Sequence, residues 1–200
     1  MINLSEYRIF ADHFSTLKET SADKSKGKKV YMTESLLDAV NFDDVKDEYV
    51  KNLRLSETPN SNDALFSDDK GSLIFVEFKN GFMDRHEQFC VQKKVYDSVL
   101  VFTDITSLKI SDMREKVKYI LVYNEFANKD NSSDDDLKKK QKATVQQSSS
   151  FDYFAKTMGK HAKDEYICFG LKMFLNYCFK EVHTFTKAEF EAYISNISKP

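Results

Sequence analysis

The chain has 200 residues, a length that fits one domain, and its 41% hydrophobic and 14% aromatic content supplies a core built on Phe and Tyr. Thirty Lys and Arg against 32 Asp and Glu leave a net charge near −2, which argues against tight, non-specific nucleic-acid binding but leaves room for a local basic groove. Cys90, Cys168 and Cys178 share no metal-type spacing and sit among apolar residues, so they read as reduced core thiols.

The opening MINLSEYRIF carries no basic-then-apolar signal, and no apolar run reaches membrane length. A cytoplasmic protein with no membrane partner is therefore expected. Residues 3–19 suit either an amphipathic helix or an edge strand. The segment TSADKSKGKK over 20–29 reads as a solvated loop; a phosphate-contacting role for Lys24, Lys26, Lys28 and Lys29 is the sharper alternative. Residues 33–55 predict a helix in one or two pieces. Thr33 is its candidate cap, and Leu36, Leu37, Val40, Phe42, Val45, Tyr49 and Leu53 recur at helical spacing.

Residues 60–81, NSNDALFSDDKGSLIFVEFKNG, predict a β-hairpin. Asp69-Lys70-Gly71 reads as a three-residue loop whose last position needs a left-handed backbone, which glycine adopts freely. Opposed residue numbers then sum to 140, which sets Asp63 against Glu77. Along the second arm Leu73, Phe75, Glu77 and Lys79 share one face, and Ile74, Val76 and Phe78 share the other. A strand apolar on both faces is buried on both, so Glu77 and Lys79 are expected at or near a core. Charges there are costly unless paired, metal-bound or functional. Acid-x-Lys also occurs at Asp44-Val45-Lys46, Asp68-Asp69-Lys70 and Asp136-Leu137-Lys138, all in polar stretches; only Glu77-Phe78-Lys79 lies in a strong strand with a second acid on its neighbour.

Further along, 85–102 predicts a helix with Phe89, Gln92, Val95, Tyr96 and Val99 on one stripe, and VKYILVY over 117–123 predicts a strand beside the hairpin. Residues 127–150 are charge-segregated and serine-rich, a flexible polar loop by composition, with a substrate-guiding arm of Lys138, Lys139, Lys140 and Lys142 as the alternative. A helix over 151–162, a strand near 179–185 and a final helix opened by the capping box Thr186-Lys-Ala-Glu189 complete the chain. His183 reads as a packed or edge-strand residue. No histidine pair, serine elbow, glycine-rich phosphate loop or zinc-spaced cysteine set offers another chemistry.

The hairpin resembles the hallmark of the PD-(D/E)xK nuclease superfamily: an acid on one strand, Glu/Asp-x-Lys on the next, then a helix. Asp63, Glu77 and Lys79 match it in turn, and Asn62 stands where the motif has proline. The resemblance implies an α/β (α+β) fold with a restriction-endonuclease-like core. That core is a mixed central sheet of about four strands flanked by helices, in the order α-β-β-α-β over about 30–125. A single domain over 1–200, with a C-terminal helix/strand/helix addition over 151–200, follows. It also implies a Mg²⁺- or Mn²⁺-dependent phosphodiesterase acting on nucleic acid, DNA in preference to RNA. Asp63, Glu77 and the Phe78 carbonyl would hold the metal, and Lys79 would orient water or stabilise developing charge. Gln92-x-x-x-Tyr96 has the form found after the lysine in some relatives, which makes Gln92 or the adjacent Lys94 a substrate-positioning candidate. A third acid could come from Glu34, Asp44 or Glu48. A homodimer is compatible with a small nuclease cutting two strands. The competing expectation is a catalytically inactive binding or protein-interaction module in which the same residues form only an ion pair.

Overall fold

The computed structural model describes residues 2–25, 27–128 and 167–197. A 3₁₀ turn at Leu4–Glu6 leads into α1 (Arg8–Ala11), the short strand β1 (Phe14–Thr16) and α2 (Leu17–Thr20). A small hairpin follows, β2 (Ala22–Asp23) on β3 (Val30–Tyr31), and then β4 (Asp38–Asn41) and α3 (Phe42–Val50). The predicted hairpin is β5 (Ala64–Ser67) and β6 (Leu73–Lys79). After it come α4 (Arg85–Thr106), α5 (Ile110–Lys116), β7 (Val117–Tyr123) and α6 (Glu125–Asn128). Beyond a 3₁₀ turn at Leu171–Phe174, the chain adds β8 (Glu181–Thr186) and α7 (Lys187–Ile197).

The protein is mixed α/β, with a central sheet of six strands rather than about four, in the order β1-β4-β5-β6-β7-β8. Pairing is antiparallel from β1 to β6 and parallel from β6 through β7 to β8. The additional strands have physical causes. Residues 38–41 lie inside the segment predicted as helix, but Ala39 and Val40 are fully buried there and the strand pairs on both edges, with β1 and β5. Tertiary pairing overrides a local helical period four residues long. Asn41 then ends the strand and caps α3, its side chain accepting from the Asp44 amide. At the other edge, β8 brings the C-terminal segment into the sheet itself.

β6 is the sheet's middle, and its two faces meet different partners. Leu73 and Phe75, with Tyr119 and Leu121 of β7, pack under Val91, Val95, Val99 and Phe102 of α4. Ile74, Val76 and Phe78, with Ile120 and Val122, pack against Phe190 and Ile194 of α7. Phe75 holds the first layer together, edge-on to Phe42 at 5.1 Å and to Phe102 at 5.4 Å between ring centroids. The α4 stripe is rotated from the predicted one. Its buried line is Val91, Val95, Ser98, Val99 and Phe102, whereas Phe89 and Tyr96 are exposed. β-branched valines fit the pleated sheet surface, and Tyr96 instead reaches Phe174 at 5.0 Å.

Thr186 and Glu189 form the predicted capping box at α7: the Glu189 carboxylate accepts from the Thr186 amide at 2.8 Å, and the Thr186 hydroxyl accepts from the Glu189 amide at 3.3 Å. Cys90 and Cys178 are free thiols, Cys178 buried and Cys90 half-buried. His183 stacks on Phe185 in β8, as a packed strand residue does. Among the described residues, no helix is long and apolar enough to cross a membrane. Residues 127–128 close α6; the remainder of the predicted polar loop, its lysine arm and the helix over 151–162 lie outside the described residues.

Candidate active site

The hairpin sets the site. Gly71 takes the left-handed backbone (φ 75°), and its amide donates to the Asp68 carbonyl at 2.8 Å. Ala64 pairs with Val76 and Ser67 with Leu73, so opposed numbers sum to 140 as the loop demanded. Asp63 precedes β5 by one residue, and its amide still donates to the Val76 carbonyl at 3.1 Å. Its carboxylate turns onto β6, where Oδ2 accepts from the Phe78 amide at 2.6 Å. The side chain thus takes over a backbone donor that the end of β5 leaves unpaired.

Glu77 is fully buried on the α4 face of β6, beside Asp63. From α4, Lys94 Nζ reaches 2.7 Å from Glu77 Oε1 and 3.2 Å from Asp63 Oδ1, bridging the two carboxylates. Lys79 Nζ stands 3.5 Å from the same Glu77 oxygen and 3.2 Å from Glu87 Oε2 in the first turn of α4. Asp84 caps that turn by accepting from the Glu87 amide at 2.8 Å, which fixes Glu87 toward Lys79. Glu77 Oε2 is buried and has no hydrogen-bond partner among the described residues; the buried Tyr119 hydroxyl on the adjoining strand has none either.

Electrostatics follow from this burial. Desolvation, with the Asp63 charge second, pushes the Glu77 carboxyl up to about 8 despite Lys94 and Lys79. Asp63 is also raised, by burial first, with Lys94 opposing and Asp43 adding to the rise. For Lys94, burial alone would lower the ammonium, but Glu77 and Asp63 lift it above its ordinary value. Burial raises Tyr119, and the Glu77 and Asp63 charges raise it further.

A cleft of about 400 Å³ opens in front of Asp63, with Asp43, Lys79, Glu87 and Phe78 also in its walls, while Glu77 and Lys94 sit behind them. The Phe78 ring packs edge-on to Phe190 at 5.6 Å. Asp63, Glu77, Lys79 and Lys94 are therefore brought together. Gln92 is not: its amide lies against Gly170, 3.2 Å from where a Cβ would stand, and it does not line the cleft.

None of the three acids proposed from α3 and its flank faces the pair. Glu34 meets Lys18 at 2.7 Å, Asp44 accepts from Asn41 at 2.6 Å, and Glu48 meets His13 at 2.7 Å. The acid that does face it is Asp43, which accepts from the Ser61 hydroxyl at 2.5 Å and lines the cleft. Its signal was available: Asn41 caps a helix whose first turn is then Phe42-Asp43-Asp44.

The residues present suit a hard divalent cation on two counts. Glu77 keeps one oxygen without a donor, and two acids with a backbone carbonyl match what Mg²⁺ asks of a protein. Among the described residues, however, no group of three or more His, Cys, Asp or Glu is gathered closely enough to hold a metal. No protein-family model, curated protein or solved structure matches this chain.

Proposed function

We propose that this chain is a metal-dependent phosphodiesterase that hydrolyses nucleic acid, DNA rather than RNA, on a restriction-endonuclease-like core formed by α3, β5, β6, α4 and β7. The observation that carries this reading is the convergence of Asp63, Glu77, Lys79 and Lys94 behind and along one cleft, with a buried Glu77 oxygen left without a donor. A structural ion pair needs no cleft and gains nothing from an unsatisfied buried oxygen.

Asp63, Glu77 and the Phe78 carbonyl would hold Mg²⁺ or Mn²⁺, which when bound supplies an acidified water and neutralises charge on phosphoryl oxygens. In the hydrolysis, water oxygen adds to phosphorus, the P–O bond to the leaving sugar oxygen breaks, and a proton ends on that oxygen. Lys79, lining the cleft, donates to the phosphoryl oxygens as their negative charge grows. Glu87 holds the Lys79 ammonium in place, and Lys94 holds Asp63 and Glu77 together against their mutual repulsion. Asp43 adds a third carboxylate to the cleft wall.

A second reading, the inactive binding module, is favoured by one observation: Lys94 already bridges both carboxylates. Incubation of labelled linear, circular and single-stranded DNA, and of RNA, with Mg²⁺ or Mn²⁺ separates the two. Cutting that disappears with EDTA and in Glu77→Gln is expected. Absence of cutting on every substrate, together with no calorimetric Mg²⁺ or Mn²⁺ binding, would leave the inactive module.

A further inference from the structure

Two segments of the chain line the cleft in front of Asp63. One wall is Thr20–Asp23 with Ser25 and Met32; the other is Phe78–Met83 with Glu87. Asn80 ties the walls together, donating through Nδ2 to Asp23 Oδ2 at 2.9 Å while its Oδ1 accepts from Asn124 Nδ2 at 2.9 Å. At the rim stands Phe82, 44% exposed and packed into neither hydrophobic layer. The chain beside it leaves open space, since a Cβ at Gly81 would meet nothing within 4 Å. An exposed aromatic ring three residues beyond the Lys79 strand has no core to serve.

We propose that the substrate is single-stranded nucleic acid, with one unpaired base stacked on the Phe82 ring and its adjoining phosphate against Lys79. This inference rests on the nuclease reading. Three arguments carry it. A volume of about 400 Å³ is near the low end of the roughly 300–1,000 Å³ of sites that engulf one small molecule, enough to enclose about one nucleotide. A base inside a duplex has both faces covered by its neighbours; only an unpaired one offers a free face to a phenyl ring. The cleft's own charge is mostly acidic, Asp23, Asp43, Asp63 and Glu87 against Lys79, so the phosphate backbone gains little there and stacking must supply affinity.

The test is binding of a short labelled single strand, and of its duplex, to the Glu77→Gln protein by fluorescence anisotropy, beside cleavage of both by the parent with Mg²⁺ or Mn²⁺. Single strands are expected to bind and to be cut at least about tenfold better than the duplex. Phe82→Ala should raise Kd and KM for the single strand by about 5- to 150-fold, the range of one lost base–aromatic stack, and Phe82→Trp should retain both. Equal handling of duplex and single strand, or a Phe82→Ala protein that binds like its parent, overturns the inference and leaves the nuclease reading standing. Failure of the parent to cut any nucleic acid removes the nuclease reading, and this inference with it.

Discussion

The Lys94 ammonium and the Glu77 carboxylate meet at 2.7 Å across the α4–β6 interface, with the glutamate fully buried. Removing the lysine alone leaves two acids in the core without their cation. Lys94→Met is therefore expected to cost on the order of 3–5 kcal/mol in urea unfolding. The Lys94→Met/Glu77→Gln pair should recover part of that loss. Additive losses would mean the two groups do not interact.

Glu77 also predicts the sign of a pH dependence. Its folded pKa, about 8, lies above the ordinary 4.5, so the folded protein binds more protons than the unfolded chain between those values. Stability of the metal-free protein, kept in EDTA, should fall as pH rises from about 4.5 to about 8 and level off above, by at most a few kcal/mol. Glu77→Gln should reduce that slope to the part Asp63 contributes, since burial raises its carboxyl too, and Mg²⁺ or Mn²⁺ should flatten it in the parent. Thermal midpoints across this pH range provide the check.

Lys79 differs from Lys94 in being at the cleft wall, with its ammonium shared between Glu77 and Glu87. Lys79→Ala should lower cleavage by about 100-fold or more while shifting the unfolding midpoint little. Lys79→Arg should fail to restore the rate, because a planar guanidinium does not replace a compact ammonium. A Lys79→Ala protein that unfolds readily yet cuts normally would make the residue structural.

Asp43 is expected to act through cation affinity. Calorimetric titration of Asp43→Asn with Mn²⁺ should show binding weakened by about 10- to 100-fold, the range for groups that support metal ligands. Gln92→Ala, which lies against Gly170 and away from the cleft, should titrate like the parent.

Much of the candidate site was legible because it depends on local rules. A three-residue loop ending in Gly71 sets the hairpin register, and strand alternation then puts Glu77 and Lys79 on one face with Asp63 beside them. The strand β7 and the α7 capping box were equally readable, since a run of strand formers broken only by Lys118 and a reciprocal Thr–Glu pair need no distant partner. Less legible was β4: four residues with helical neighbours become a strand only when β1 and β5 pair with them. Misplacing that strand hid Asp43 and pointed instead to Glu34, Asp44 and Glu48, which are engaged elsewhere.

What the sequence by itself determined, then, is the hairpin, its register and the facing of its three charged residues, because turn geometry and a two-residue period act within a few positions. Tertiary structure alone decided the six-strand sheet, the rotation of α4 that carries Lys94 between Asp63 and Glu77, and the Asn80–Asp23 contact beside the cleft. The Lys94–Glu77 and Asn80–Asp23 contacts join residues 17 and 57 positions apart, and no local preference specifies a contact at that distance.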